Sequence, residues 1–227
     1  MSGLLNYIRS QKTRIIMSFA GVFMGAVSVG IFKIASFGVD PFQTLMAGLD
    51  AMIPIEFGTL YVIVNVVLLT FSLIADRRNI GIATFINLFL LGYITQFAYS
   101  IFRKMLPNPS VPVRVVCMIV GIVVICFGAS LYMTANLGVS TYDAISIVMA
   151  YKWHWGKFKF IRIGTDLVCV ISGCIIFVLA GNPIEKIPTI AGVGTIITAF
   201  FMGPLIDFFN EKFSKPLLEK KNDLQKS

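Results

Sequence analysis

Long apolar runs alternate with short polar loops along the whole chain. Six runs approach or exceed the length a helix needs to cross a bilayer: residues 15–36, 58–75, 80–102, 115–135, 163–181 and 187–210. A hydrocarbon core about 30 Å thick takes roughly 20 apolar residues as helix. Two shorter stretches, 40–53 and 140–151, reach only about 20 Å each at about 1.5 Å per residue. The pattern predicts an all-α polytopic membrane protein. It has about six transmembrane helices plus two short re-entrant or interfacial helices. A rival reading lets both short stretches cross, giving eight spans.

The pattern is also written twice. At an offset of 100, Phe37-Gly38-Val39-Asp40-Pro41-Phe42-Gln43 lies over Leu137-Gly138-Val139-Ser140-Thr141-Tyr142-Asp143, and Gly21 lies over Gly121. Near 101, Asn65 lies over Asp166. At 111, Gly81, Thr84, Phe89, Gly92, Gln96 and Phe97 lie over Gly192, Thr195, Phe200, Gly203, Asp207 and Phe208. Each copy reads as span, short helix, span, span. Three crossings per copy reverse the second copy, giving the inverted repeat common in secondary transporters. Eight spans would make the copies parallel. The expected segments are a polar N-terminal piece (1–14), a first membrane repeat (15–102), a loop (103–114), a second repeat (115–210) and a basic tail (211–227).

Both short stretches open alike. Gly38 and Gly138 permit a sharp turn out of the preceding span. Asp40 is a candidate N-cap with Pro41 in the first helical position and Gln43 at N3. Ser140 is the matching cap, with Asp143 at N3. Both fit the capping-box spacing. Read functionally, each helix start presents N–H groups to a solute. Read structurally, the residues cap a short helix at the interface.

Composition narrows the class. Of 227 residues, 57% are hydrophobic and 13% charged, with a mean hydropathy of +0.85. Soluble domains carry about 25% charged residues, so lipid is the expected solvent. The net charge of +8 flanks apolar runs, which argues against nucleic acid and for a membrane surface. With six spans, one side carries most of the basic residues, including Arg14, Arg77, Arg78, Lys152, Lys157 and Arg162. The other carries Arg103, Lys104, Arg114 and Lys186. The positive-inside rule then places both termini in the cytoplasm of a multi-pass plasma-membrane protein.

Charges within the spans are costly, about 2.5–3.5 kcal/mol for a carboxylate at a helix centre. Asp166 lies one turn after Arg162, at the i, i+4 spacing of a salt bridge. The pair is either an anchor for its span or part of a gate or coupling-ion site. Cys117, Cys126, Cys169 and Cys174 sit in apolar runs and read as fillers. No phosphate loop, zinc pattern or nucleophile elbow is present. No enzyme activity, metal or cofactor is expected.

These motifs resemble the YczE/YyaS/YitT family of bacterial membrane proteins. The resemblance rests on the Phe37–Phe42 and Leu137–Asp143 turns, Arg162 with Asp166, and Gly192-Val193-Gly194-Thr195 leading to Met202-Gly203-Pro204. It implies a bacterial plasma-membrane protein of about this size, with members suspected of transport or of supporting secondary-metabolite production. This chain has Gln43 where the family commonly has an acidic residue, Thr141 where it has proline and Asp166 where it has glutamate.

The leading functional expectation is a small-molecule transporter or permease component. Its candidate solute-binding residues are Gly38, Asp40, Gln43, Gly138, Ser140, Asp143, Arg162 and Asp166. Its partners would be the lipid bilayer and an unknown small solute, and it could form a homo-oligomer. The alternative is a non-transporting membrane partner that supports another complex, using its basic tail to bind protein or anionic lipid.

Overall fold

In a computed structural model of the chain, residues 11–224 are described. Most of the polar N-terminal piece and the last three residues of the basic tail lie outside them. The described residues are helical throughout: α1 (Lys12–Ala35), α2 (Pro41–Met52), α3 (Phe57–Ala75), α4 (Ile82–Met105), α5 (Val111–Ala135), α6 (Thr141–Ile147), α7 (Phe158–Leu179), α8 (Val193–Phe209) and α9 (Lys215–Leu224), with short turns between. Six stretches are long and apolar enough to cross a membrane: α1, α3, α4, α5, most of α7 and the run Ile184–Glu219 that contains α8. Their outer faces carry exposed Val67, Ile74, Phe97, Ile119, Leu167, Ile175 and Phe200. So large an exposed apolar surface is stable in lipid and not in water.

The central pair is α1 and α5, and its two ends are tied reciprocally. Arg14 donates to the Ala135 carbonyl at 2.9 Å. Arg114 donates to the carbonyls of Ala35 at 2.7 Å and Ser36 at 2.8 Å. The helices therefore run antiparallel. Small residues let them close: a Cβ at Gly21 would meet Gly128 and Tyr132, and one at Gly121 would meet the Phe32 ring.

The segments after α1 and α5 turn sharply. Ser36 and Asn136 adopt left-handed backbone at φ 52° and 50°, followed by Gly38 at φ 98° and Gly138 at φ 112°. Each turn then pairs with the start of a helix from the other half. Val39 N–H donates to Ile190 O and Gly194 N–H to Phe37 O. Val139 N–H donates to Asn79 O and Ala83 N–H to Leu137 O. A side chain at Gly38 would strike Gly192 and Thr195, and one at Gly138 would strike Gly81 and Thr84. Glycine is required here twice over, by backbone sign and by space.

The short helices do not cross. Lys33, near the end of α1, lies over the ring of Phe57, the first residue of α3, at 3.4 Å. One helix therefore ends and the next begins at the same end of the bundle, and α2 between them turns back. At the opposite end Lys152 donates to the Ala75 carbonyl, so α6 also returns to the side it came from. Their first turns meet inside: Phe42 stacks on Tyr142 with ring centroids 4.9 Å apart. Thr141 donates to Asn65, about halfway along α3. Both are re-entrant, and neither lies on the surface.

Candidate functional site

Each short helix is held by the long helix of the opposite half. Gly48 of α2 meets Gly173 of α7 with no room for a side chain, and Thr44 donates to Ile190 O at 2.9 Å. An aromatic and aliphatic layer closes the junction, built from Phe42, Met46, Phe57, Leu60, Tyr61, Tyr142 and Cys169. In lipid such a layer holds by van der Waals packing rather than by expulsion of water, and the meeting point is a packed seam.

One set of charges lies against that seam. Arg162 pairs with Asp143 and, at 3.4 Å, with Asp166 on its own helix. Tyr142 donates its hydroxyl to Asp166 at 2.7 Å. The Arg162 guanidinium stands 4.5 Å above the Tyr142 ring. Ser140 donates to Asp143 at 2.6 Å and accepts the Asp143 N–H at 3.0 Å. Asp40 accepts the Gln43 N–H at 3.2 Å. One guanidinium is thus shared between two carboxylates, an arrangement worth its insertion cost only where polar contacts or water satisfy it.

All the sequence-predicted residues fall in or beside this region, in three roles. Asp143, Arg162, Asp166 and Ser140 form one hydrogen-bonded network, with the i, i+4 pair as expected. Asp40 caps α2 by accepting the amide of Gln43, the N3 residue. Gly38 and Gly138 form the hinges that aim the short helices, one step removed from the charges. The full capping boxes do not form. Asp40 and Ser140 accept the N3 amides, but the Asp143 carboxylate turns to Ser140 Oγ and Arg162, and the Gln43 carbonyl oxygen is buried without a donor. Side-chain caps by the N3 residue occur instead where α4 and α8 start. There Thr84 and Thr195 accept the Gly81 and Gly192 amides, both at 3.2 Å.

Tyr142 and Phe42 were missed as site residues, although the aligned turns place an aromatic ring at both positions. The Arg14/Arg114 ties were missed too, although the same offset of 100 pairs them. Asn65 joins the site through Thr141 and donates to Tyr61 O at 2.8 Å. Asp207 sits exposed near the end of α8, apart from the cluster. Among the described residues, no group of three acidic, histidine or cysteine side chains is placed to hold a metal ion.

Two clefts open at the end of the bundle that holds Arg14 and Lys152. One, about 740 Å³, is lined by Asp76, Arg78, Asn79, Ile147, Tyr151 and Lys152, beside the last turn of α6. The other, about 470 Å³, lies between α1, α5 and the α8–α9 corner, with Arg14, Asn136, Asn210 and Lys215 on its walls.

Comparison with known proteins bears out the family resemblance. The chain is 24% identical to the uncharacterized membrane protein YczE of Bacillus subtilis, over 84% of this chain and 82% of that one. It is 21% identical to the uncharacterized protein YyaS of the same organism, over 88% of this chain and 94% of that one. An uncharacterized protein of Haemophilus influenzae is 23% identical over 87% of this chain and 83% of its own length. No solved structure matches. The model of a family of unknown function, DUF6198, matches residues 12–211, and this integral membrane protein belongs to that family.

Proposed function

We propose that the chain is a small-solute permease of the bacterial plasma membrane, built as two inverted copies with the solute site where the two short helices meet. The observation that carries this reading is the Asp143–Arg162–Asp166–Tyr142 network beside the Phe42–Tyr142 stack. Ionisable groups at membrane depth mark solute or ion pathways far more often than they serve as structural ties. The reciprocal ties between α1 and α5, and between each turn and the opposite half, support the inverted arrangement. In such folds, sites lie at the repeat interface near the midplane, formed by interrupted helices. A cleft opens beside the end of α6 at the basic end, taken here as cytoplasmic on its Lys and Arg content.

The test is uptake of candidate solutes into liposomes holding the purified protein, with Asp143→Asn and Asp166→Asn variants. The expected result is loss of uptake in both. Unchanged uptake in both variants removes the site.

A second reading, a non-transporting membrane partner, draws on one observation. α3 packs along α4, whereas α7 leaves Ile163, Leu167, Ile171 and Ile175 exposed and α8 leaves Ile196 and Phe200 exposed. A protein partner seated there would be captured in stoichiometric amount and lost with Leu167→Lys.

A further inference from the structure

We infer that the cleft between α1, α5 and the α8–α9 corner binds the headgroup of an anionic phospholipid, a phosphodiester carrying hydroxyls, with Arg14 and Lys215 on its phosphate. The site stands whether or not the chain moves solute, and it shares no lining residue with the Arg162 cluster.

Unspent donors come first. Arg14 and Arg114 occupy matching places in the two halves, but their guanidinium groups are used differently. Arg114 donates Nε to Ala35 O at 2.7 Å and Nη2 to Ser36 O at 2.8 Å, and stands 4.5 Å over the Phe37 ring. Arg14 donates only Nη1, to Ala135 O at 2.9 Å, and Leu137 stands where the matching turn has Phe37. The Nε and Nη2 of Arg14 make no hydrogen bond among the described residues. Side by side, these two nitrogens are the fork that takes a phosphate through paired N–H···O bonds. Arg14 lines the cleft, which is about 470 Å³ in volume.

The other walls offer the same chemistry. Between α8 and α9 the chain widens into a π turn over Asn210–Ser214, a geometry found frequently at functional sites. The turn is tied to α5 by Ser130 with Ser214, and by Thr134, which donates to Asn210 Oδ1 at 3.0 Å. Asn210 lines the cleft with its amide N–H groups unspent. Leu218 pins α9 to the bundle by packing with Met17, Leu131 and Ala135. That places Lys215 and Glu219 in the wall, one turn apart on the same face. They do not pair with each other, and no carboxylate among the described residues pairs with Arg14 or Lys215.

Charge and surroundings select the ligand. Two cations face one carboxylate across the cleft, so a monoanion completes it, and Glu219 can accept only from hydroxyls beside the phosphate. Met133 in the same wall is 61% exposed, and Phe213 and Leu217 of the corner are exposed as well. A basic cleft between membrane helices, flanked by apolar surface, suits a headgroup phosphate with its acyl chains alongside. A free phosphate ester would use the cations and leave that surface without a partner.

The test is native mass spectrometry of the full chain in detergent, titrated separately with phosphatidylglycerol, phosphatidylethanolamine and the soluble headgroup glycerophosphoglycerol. One phosphatidylglycerol is expected to bind at least about tenfold more tightly than phosphatidylethanolamine, which brings an ammonium to a cleft already rich in cations. Lys215 is exposed, so Lys215→Gln keeps the fold, and it should weaken this first binding about tenfold. Arg14→Lys keeps the charge, removes the fork and should weaken it several-fold. Lys212→Gln removes the same charge from the same corner but outside the cleft, and should change it less than about twofold. Equal weakening by Lys215→Gln and Lys212→Gln overturns the inference, because a basic face then attracts lipid without a site. Equal affinity for the two lipids overturns it too, as does an affinity unchanged in both Lys215→Gln and Arg14→Lys, or no binding to the wild type. Glycerophosphoglycerol that binds as tightly as the lipid would assign the cleft to soluble phosphate esters instead.

Discussion

The positions that match across the two halves have different surroundings. In the first half Gln43, Tyr61 and Asn65 are 4%, 3% and 1% exposed. Their counterparts Asp143, Arg162 and Asp166 are only half-buried. The first set is neutral and shut in by α4, where Tyr61 donates to Asn87 at 3.2 Å and Gln96 accepts the Gly58 N–H at 3.0 Å. The second set is charged and left open, because α7 stands away from α8. The matched positions thus form a packed neutral wall on one side and a less buried charged cluster on the other. Charge and openness go together because an ionised group shut away from water costs several kcal/mol more than an amide or phenol in the same place.

Substitutions at paired positions sharpen or break this comparison. The largest effect is expected at the hinges, where the halves agree. Gly38→Val and Gly138→Val each force a side chain into positive-φ backbone and into the opposite half, costing about 2–4 kcal/mol or more. Both should lose the monodisperse peak in size-exclusion chromatography; a stable, monodisperse variant at either position would show that the turn is not fixed as described.

Next come the seams, where the halves differ. Gly92→Leu drives a side chain into Tyr61 and Gly58 and should cost about 1–3 kcal/mol. Gly203→Leu enters open space and should leave thermal stability within about 0.5 kcal/mol. Equal losses in a thermal melt would mean that both seams are closed.

A smaller effect separates the polar positions. Asn65→Leu leaves Thr141 without its acceptor in a buried place and should cost about 1–3 kcal/mol. Asp166→Asn keeps the size and the Tyr142 contact of a more exposed group, so its cost should be nearer 1 kcal/mol, while uptake falls. The reverse order would place the structural tie in the second half. Smallest are Thr84→Ala and Thr195→Ala, about 1 kcal/mol each. Thr84 should lose slightly more, since it donates to Val139 O at 2.6 Å, a tighter bond than that of Thr195 to Ile190 O at 3.4 Å.

Much of this was legible in the sequence. The six spans followed from apolar length alone, and each expected boundary falls within about five residues of a helix end, apart from the start of the last span. There Gly192 restarts the helix as α8 after a broken turn. The Arg162–Asp166 pair and both caps followed from spacing on one element. What spacing on a single element does not carry is the contact between elements. The seating of Gly38 on Gly192, Phe42 on Tyr142 and Arg162 on Asp143 depends on how two re-entrant segments cross, and no local periodicity encodes that. The reciprocal capping boxes failed for the same reason. Asp143 has a stronger partner in a guanidinium from α7 than in the amide of its own turn.

The central claim is that the first turns of the two short helices touch inside the membrane. Cysteines at Phe42 and Tyr142, in a chain whose four native cysteines are replaced by alanine, measure this directly. In native membranes, a short bifunctional thiol reagent is expected to join the pair in high yield within one polypeptide, because the native rings lie 4.9 Å apart. Helices lying on opposite membrane surfaces would hold the two positions about 30 Å apart; no cross-link in a folded, monodisperse double variant would contradict the account.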